Sequence, residues 1–132
     1  MADIVLDASA VLALLNAEPD AEQVAAVLPG TAISTVNITE VITRLIDWNL
    51  SQAEIDQALD ALGLQQHAFD ADQARMAASL RTVTHTHGLS LGDRACLALC
   101  RTLGARILTA DRPWLALKPW LSIECIRPPT GD

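Results

Sequence analysis

Short runs of apolar residues alternate along the chain with longer segments in which apolar positions recur every three or four residues. The short runs are typical of strands buried on both faces of a parallel sheet, and the longer segments are typical of amphipathic helices. Because strands and helices alternate, the pattern predicts an α/β fold in which helices cover both faces of a parallel sheet. The predicted strands are residues 4–6, 31–34, 64–69, 106–109 and 122–127.

Capping signals mark the ends of several predicted helices. Ser9 is placed to cap the helix that follows the first strand. Ser51, with Glu54 three residues later, forms the pattern of a capping box. Ser90 and Gly104 bound a helix that is apolar nearly all round, which indicates a helix packed deep in the domain.

The composition predicts one cytoplasmic domain. A chain of 132 residues, half of them hydrophobic, can bury a core without disulfides. The three cysteines form no CxxC pair, so we expect buried thiols. Asp7 interrupts the first apolar stretch, so no signal peptide is expected. No uncharged apolar run approaches the ~20 residues that cross a membrane, so membrane binding is not expected either. We expect a folded domain over residues 1–127 and a flexible tail over 128–132.

The charge is distributed unevenly along the chain. A net charge of −7 argues at first against nucleic acid as a partner, because phosphates favour basic surfaces. Residues 1–72 carry twelve acids and one base, whereas residues 73–132 carry eight bases and four acids. This asymmetry permits a basic flank beside an acidic pocket, although a solvated charge gradient has the same pattern.

Acidic residues stand where the predicted fold places a ligand site. Asp7 and Asp111 follow predicted strands, and ligands of parallel sheets bind outside the carboxyl ends of the strands, although an Asp at a strand end often caps a helix. Asp93 lies in the first turn of the apolar helix, where a lone buried carboxylate is costly unless it is paired or binds a metal. Glu40 lies opposite the apolar stripe of its helix, so it is either a solvated acid or faces the same crevice.

A cluster of these carboxylates predicts a divalent cation. Like charges at low dielectric repel one another and raise their pKa values unless a cation neutralises them. Hard oxygen ligands select Mg²⁺ or Mn²⁺ rather than zinc, and such ions can activate a water for attack on a phosphodiester. The hydroxyls of Ser9 and Thr109, each two residues from an acid, could orient ligands or water, or could be plain caps.

Four segments of the sequence form a recognisable set: residues 4–10, 34–41, 88–95 and 107–114. Together they resemble the PIN-domain ribonucleases, and within that family the VapC-type toxins of bacterial toxin–antitoxin pairs. The resemblance implies a three-layer α/β/α sandwich around a five-stranded parallel sheet ordered 3-2-1-4-5, and a PIN-like nuclease domain within the predicted folded region. It also implies cleavage of RNA with Mg²⁺ or Mn²⁺, a homodimer, and neutralisation by a VapB-type antitoxin. Trp114 stands where the family usually has Phe.

Carried over residue by residue, the resemblance assigns metal binding and catalysis to an acidic quartet. Its members are Asp7, Glu40, Asp93 and Asp111. Basic residues near the pocket are candidates for contacts with substrate phosphates, or are ordinary surface charges. They are Arg44, Arg94, Arg112 and Lys118. Two other functions stay open: a PIN-like module that binds protein or RNA without catalysis, and a structure-selective DNA nuclease that uses the same pocket.

Overall fold

A parallel sheet forms the centre of the fold in the computed structural model, which describes residues 3–84, 88–111, 114 and 123–126. Neighbouring strands are parallel and lie in the order β3-β2-β1-β4-β5, with β5 at the edge beside β4. The predicted α/β class with a parallel sheet is confirmed. In chain order the strands are β1 (Ile4–Leu6), β2 (Ala32–Ser34), β3 (Gln65–His67), β4 (Arg106–Thr109) and β5 (Ile123–Cys125).

Helices pack on both faces of the sheet, because consecutive strand residues point to opposite sides. Val5 and Ile107 belong to one core cluster with residues of α5 and α7. Leu6 and Leu108 belong to a second core cluster with residues of α1 to α4. The helices are α1 (Ala8–Leu15), α2 (Glu22–Val27), α3 (Thr35–Asp47), α4 (Gln52–Leu62), α5 (Ala71–Ser79), α6 (Arg81–Thr84) and α7 (Leu91–Leu103).

The first helix begins at a different residue from the predicted one. Asp7, not Ser9, caps α1, and its Oδ1 accepts a hydrogen bond from the backbone amide of Ala10 at 2.9 Å. The prediction was wrong because β1 ends at Leu6 and the helix starts immediately after Asp7. Asp7 therefore occupies the cap position, and Ser9 lies inside the first turn of α1.

Other local signals agree with the structure. Ser51 and Glu54 form the predicted capping box at the start of α4. Ser90 caps α7, and Gly104 ends it in the left-handed conformation at φ 63°, which glycine adopts without strain. These elements end where the sequence predicts, because each end depends on residues within one turn.

The sequence predicts buried thiols, and the side chains of two cysteines lie in the part of the chain that the structure describes. There, Cys96 and Cys100 are free and buried, as expected. In the same residues, no helix is both long enough and apolar enough to cross a bilayer. The predicted tail at 128–132 lies outside the described residues.

Candidate active site

The four acids of the quartet line one cleft at the carboxyl edge of the sheet. The cleft has a volume of about 230 Å³, and Ser9, Asn37 and Arg44 also line it. Two of the acids follow strands and two lie on helices: Asp7 follows β1, Asp111 follows β4, Glu40 lies on α3, and Asp93 lies on α7. The structure therefore brings together residues that are as much as 104 positions apart in the sequence.

Asp7 is the most enclosed acid of the site. Its side chain is only 4% exposed, and the amide of Ala10 and the hydroxyls of Ser9 and Thr109 all donate to its carboxylate. Burial raises the pKa of Asp7 from 3.8 to about 6, although these hydrogen bonds lower it, and the charge of Asp93 raises it further. Asp7 is thus held in a fixed orientation and poorly solvated, which favours binding of a cation.

Two hydroxyls connect the end of β1 to the end of β4. The Ser9 hydroxyl donates to Asp7 and accepts from the backbone amide of Ala110 at 3.0 Å. The Thr109 hydroxyl donates to Asp7 Oδ2 and accepts from the backbone amide of Asp111 at 3.0 Å. These side chains therefore orient Asp7 relative to the segment that carries Asp111, and Ser9 is not a plain helix cap.

Asp111 is half-buried. The backbone amide of Trp114 donates to the carbonyl of Asp111 at 3.2 Å. Trp114 itself is fully buried in the core cluster that contains α7. The aromatic residue at the position of the family's usual Phe therefore lies in the core and donates a backbone hydrogen bond to Asp111.

Asp93 lies in the first turn of α7, as the sequence predicts. It is half-buried and forms a capping box at the start of α7, where its Oδ2 accepts from the Ser90 amide at 3.0 Å. The Ser90 hydroxyl in turn accepts from the Asp93 amide at 3.2 Å. The Asp93 carboxylate therefore has a hydrogen-bond partner and is only partly buried, so it is not a lone charge enclosed in the core.

Glu40 lies on the exposed face of α3, and that face borders the cleft. Its carboxylate lies against Gly92 of α7, so closely that a Cβ built on Gly92 would be 2.4–2.6 Å from the carboxylate atoms. The side-chain amide of Asn37 donates to Glu40 Oε1 at 2.8 Å. Sequence analysis missed Asn37, although a polar residue three positions before Glu40, beside the apolar stripe of α3, is a signal that could have indicated it.

The candidate phosphate contacts have different environments. Arg44 is exposed and lines the cleft, one turn after Glu40. Arg94 does not line the cleft, because consecutive residues of a helix point about 100° apart and Asp93 faces the cleft. The Nη1 of Arg94 instead donates to the carbonyl of Ala77 on α5 at 3.1 Å. The side chain of Arg94 therefore contacts α5, and its contact with a substrate phosphate stays a prediction. Arg112 and Lys118 lie outside the described residues.

The donor set of the cleft fits Mg²⁺ or Mn²⁺ better than a soft metal. Among the described residues, no three His, Cys, Asp or Glu side chains stand close enough to form a ready-made metal group. Mg²⁺, however, usually keeps several of its waters and is bound directly by one or two carboxylates. A cleft of about 230 Å³ has room for several waters at ~30 Å³ each, so the carboxylates can hold an ion partly through water.

Cys96 is fully buried and does not line the cleft, so it is not a candidate ligand. Burial, followed by the charge of Asp7, raises the pKa of the Cys96 thiol well above its ordinary value. The site thus offers oxygen ligands from its four acids.

The chain belongs to the PIN-domain family, whose model matches residues 4–118, a range that contains the whole acidic quartet. It is similar to ribonuclease VapC42 of Mycobacterium tuberculosis, with 32% identity over 115 residues that cover 80% of this chain and 88% of that protein. In structure it is similar to a toxin–antitoxin complex from Klebsiella pneumoniae, with a TM-score of 0.75, 17% identity, and coverage of 94% of this chain and 98% of the other. It is also similar to VapBC-5 of M. tuberculosis, a member of the VapBC family of toxin–antitoxin systems. The TM-score is 0.60 at 25% identity, and the match covers 95% of this chain and 98% of the other.

Proposed function

We propose that this protein is a Mg²⁺- or Mn²⁺-dependent endoribonuclease that acts as the toxin of a toxin–antitoxin pair. The observation that carries the proposal is the meeting of Asp7, Glu40, Asp93 and Asp111 in one cleft at the carboxyl edge of the sheet. Similarity to a ribonuclease at 32% identity supports RNA as the substrate. The nuclease domain is expected over residues 1–127.

The acidic quartet would hold the metal, with Asp7 and Asp111 contributed by strand ends and Glu40 and Asp93 by helices. A bound Mg²⁺ or Mn²⁺ supplies an activated water and positive charge beside the phosphodiester. Ser9 and Thr109 keep the Asp7 carboxylate in a fixed orientation through their hydrogen bonds.

The residues around the quartet bind the substrate rather than attack it. The Ser9 hydroxyl donates to Asp7 and accepts from Ala110, so we assign it to the orientation of Asp7 rather than to attack on the substrate. Arg44 presents a positive charge at the rim of the cleft, where it can contact an RNA phosphate. The chain therefore positions the phosphodiester and leaves the attack to water.

The proposed partners are RNA, a VapB-type antitoxin and a second copy of the chain. Similarity to members of toxin–antitoxin complexes supports the antitoxin. A toxin gene is expected to lie next to a small antitoxin gene, so co-expression of the two products followed by co-purification tests this partner. Light scattering of the purified chain tests the homodimer. A chain that stays monomeric and does not co-purify with the neighbouring product contradicts these assignments.

An RNA cleavage assay with a matched pair of variants tests the activity. Asp93→Asn and Glu54→Gln each neutralise the acid of a capping box, on α7 and α4 respectively, but only Asp93 lines the cleft. We expect the wild type and Glu54→Gln to cleave structured RNA with Mg²⁺ or Mn²⁺ and to lose activity with EDTA. Asp93→Asn should be inactive under all conditions.

The same assay separates the alternatives. Cleavage of DNA but not RNA, offered in parallel, would favour a DNA nuclease with the same pocket. RNA binding without cleavage in any metal would favour a module without catalysis. Full activity in Asp93→Asn would contradict the proposed site.

A further inference from the structure

Asn37 forms a bridge between the two helices that carry acids of the cleft. Its side chain is 1% exposed, and its Nδ2 donates to Glu40 Oε1 at 2.8 Å and to the carbonyl of Gly92 at 3.0 Å. Glu40 lies on α3, whereas Gly92 lies on α7 immediately before Asp93. One amide group therefore ties a carboxylate of α3 to the helix start that carries another acid of the quartet.

The chemistry of its neighbours fixes the orientation of this amide. Both acceptors are oxygens, so only the NH₂ end of Asn37 can face them. Asn37 Oδ1 is buried and has no hydrogen-bond partner among the described residues. A leucine has the same branching and would not bury an unpaired oxygen. Packing alone therefore does not explain an amide at this position, whereas its two donated hydrogen bonds do.

Gly92 makes room for the Glu40 carboxylate. A Cβ at Gly92 would be 2.4 Å from Glu40 Oε2 and 2.5 Å from Oε1. Gly92 lies inside α7 and is not among the described residues with positive φ, so its backbone conformation does not require glycine. Alanine is the better helix former at such a position. The absence of a side chain at Gly92 is explained by the close approach of Glu40.

We infer that Asn37 and Gly92 are positioning residues that hold the Glu40 carboxylate against α7, beside Asp93, in the arrangement that binds a divalent cation. This inference rests on the proposed function of the cleft. Glu40 is exposed, and a long side chain on an exposed helix face otherwise samples many rotamers. The hydrogen bond from Asn37 and the space above Gly92 restrict the carboxylate to the side of the cleft.

Binding of Mn²⁺ to the full-length protein, measured by isothermal titration calorimetry, tests the inference without measuring catalysis. Asn37→Leu removes both donors, and Gly92→Ala pushes the Glu40 carboxylate away. Gln73→Leu is the matched control, because Gln73 is also a buried amide but lies outside the cleft. Its Nε2 donates to the hydroxyl of Thr102 on α7 at 2.6 Å. Glu40→Gln is the reference for loss of the carboxylate itself.

We expect Asn37→Leu and Gly92→Ala each to weaken Mn²⁺ binding by roughly 10- to 100-fold, as is usual for residues that orient metal ligands. Gln73→Leu should bind Mn²⁺ like the wild type. Gly92→Ala should not lower the melting temperature, because alanine favours the helix and the end of the Glu40 side chain can move. This variant keeps the test decisive even if Asn37→Leu does not fold.

The outcomes distinguish this inference from the proposed function. If the wild type binds Mn²⁺, Glu40→Gln weakens binding, and Gly92→Ala binds as tightly as the wild type, then the positioning role is overturned while the metal site stands. If the wild type does not bind Mn²⁺, both the proposed function and the inference are overturned.

Discussion

Thr109 donates a hydrogen bond from its hydroxyl to Oδ2 of Asp7, although the two residues are 102 positions apart in the sequence. The same hydroxyl accepts from the backbone amide of Asp111 at 3.0 Å. One side chain at the end of β4 therefore orients the acid that follows β1 and contacts the backbone of the acid that follows β4.

Replacement of Thr109 with valine, which has nearly the same shape, should remove this connection. Because Thr109 is fully buried and Asp7 would lose a donor, we expect the free energy of unfolding to fall by about 1–3 kcal/mol. RNA cleavage should fall by roughly tenfold or more, since the Asp7 carboxylate loses part of its orientation. Urea denaturation and initial cleavage rates measure the two effects.

Thr31→Val is the matched control for this substitution. Thr31 is 4% exposed, and its hydroxyl has no hydrogen-bond partner among the described residues. Removal of an unpaired buried hydroxyl should leave cleavage unchanged and stability unchanged or higher. Equal losses in Thr31→Val and Thr109→Val would show that the bond to Asp7 is not the cause.

The buried Asp7 predicts how stability depends on pH in the protein without divalent ions. Its pKa is raised by burial from 3.8 to about 6, so the folded state holds a proton that the unfolded state releases. The stability contributed by protonated Asp7 is fully present below pH 3.8 and is lost as the pH rises through about 6. This pKa shift corresponds to about 3 kcal/mol in the free energy of unfolding.

A comparison with Asp7→Asn isolates this contribution, because asparagine has the same shape and does not titrate. Urea denaturation in EDTA measures the unfolding free energies of both proteins at several pH values from 3.8 to above 6. The wild type should lose stability relative to the variant across this range. A constant difference between the two proteins would contradict a raised pKa for Asp7.

Divalent ions should stabilise the folded protein. At a Mn²⁺ concentration of about 100 times the dissociation constant, binding adds about 2.7 kcal/mol to the free energy of unfolding, and EDTA should reverse the effect. Binding should also tighten as the pH rises through about 6, because a proton on Asp7 competes with the ion. Thermal denaturation with and without Mn²⁺ measures the effect.

Asp7→Asn should lose most of this stabilisation. Asp56→Asn, which neutralises an exposed acid of α4 outside the cleft, should keep it. If Asp7→Asn gains as much stability from Mn²⁺ as the wild type does, the ion binds elsewhere on the protein.

Arg44 should contribute to RNA binding rather than to the chemical step. Arg44 is exposed and lines the cleft, so Arg44→Gln should raise KM and leave kcat nearly unchanged. The slope of log binding constant for RNA against log salt concentration should fall in magnitude by about 1. Arg101→Gln is the control, because Arg101 is an exposed arginine in the last turn of α7, outside the cleft. Equal changes of KM in the two variants would indicate a general effect of charge.

Much of the fold could be predicted because it depends on neighbouring residues. Ile4–Leu6 and Arg106–Thr109 form strands, as their short apolar runs indicate. The capping box of Ser51 with Glu54 and the end of α7 at Gly104 each involve residues within one helical turn. The choice between Asp7 and Ser9 as the cap of α1 was not predictable in this way, since both offer a side-chain oxygen and only the end of β1 decides between them.

By itself, the sequence determined which residue types follow strands and begin helices, and therefore which acids are candidates for the site. Only the tertiary structure decided that Glu40 faces the cleft, that Arg94 instead contacts α5, and that Asn37 reaches Gly92 from 55 positions away. These features depend on how α3, α5 and α7 pack against one another. A local pattern of apolar and polar residues sets the inner face of each helix, but it does not specify which distant backbone that face will meet.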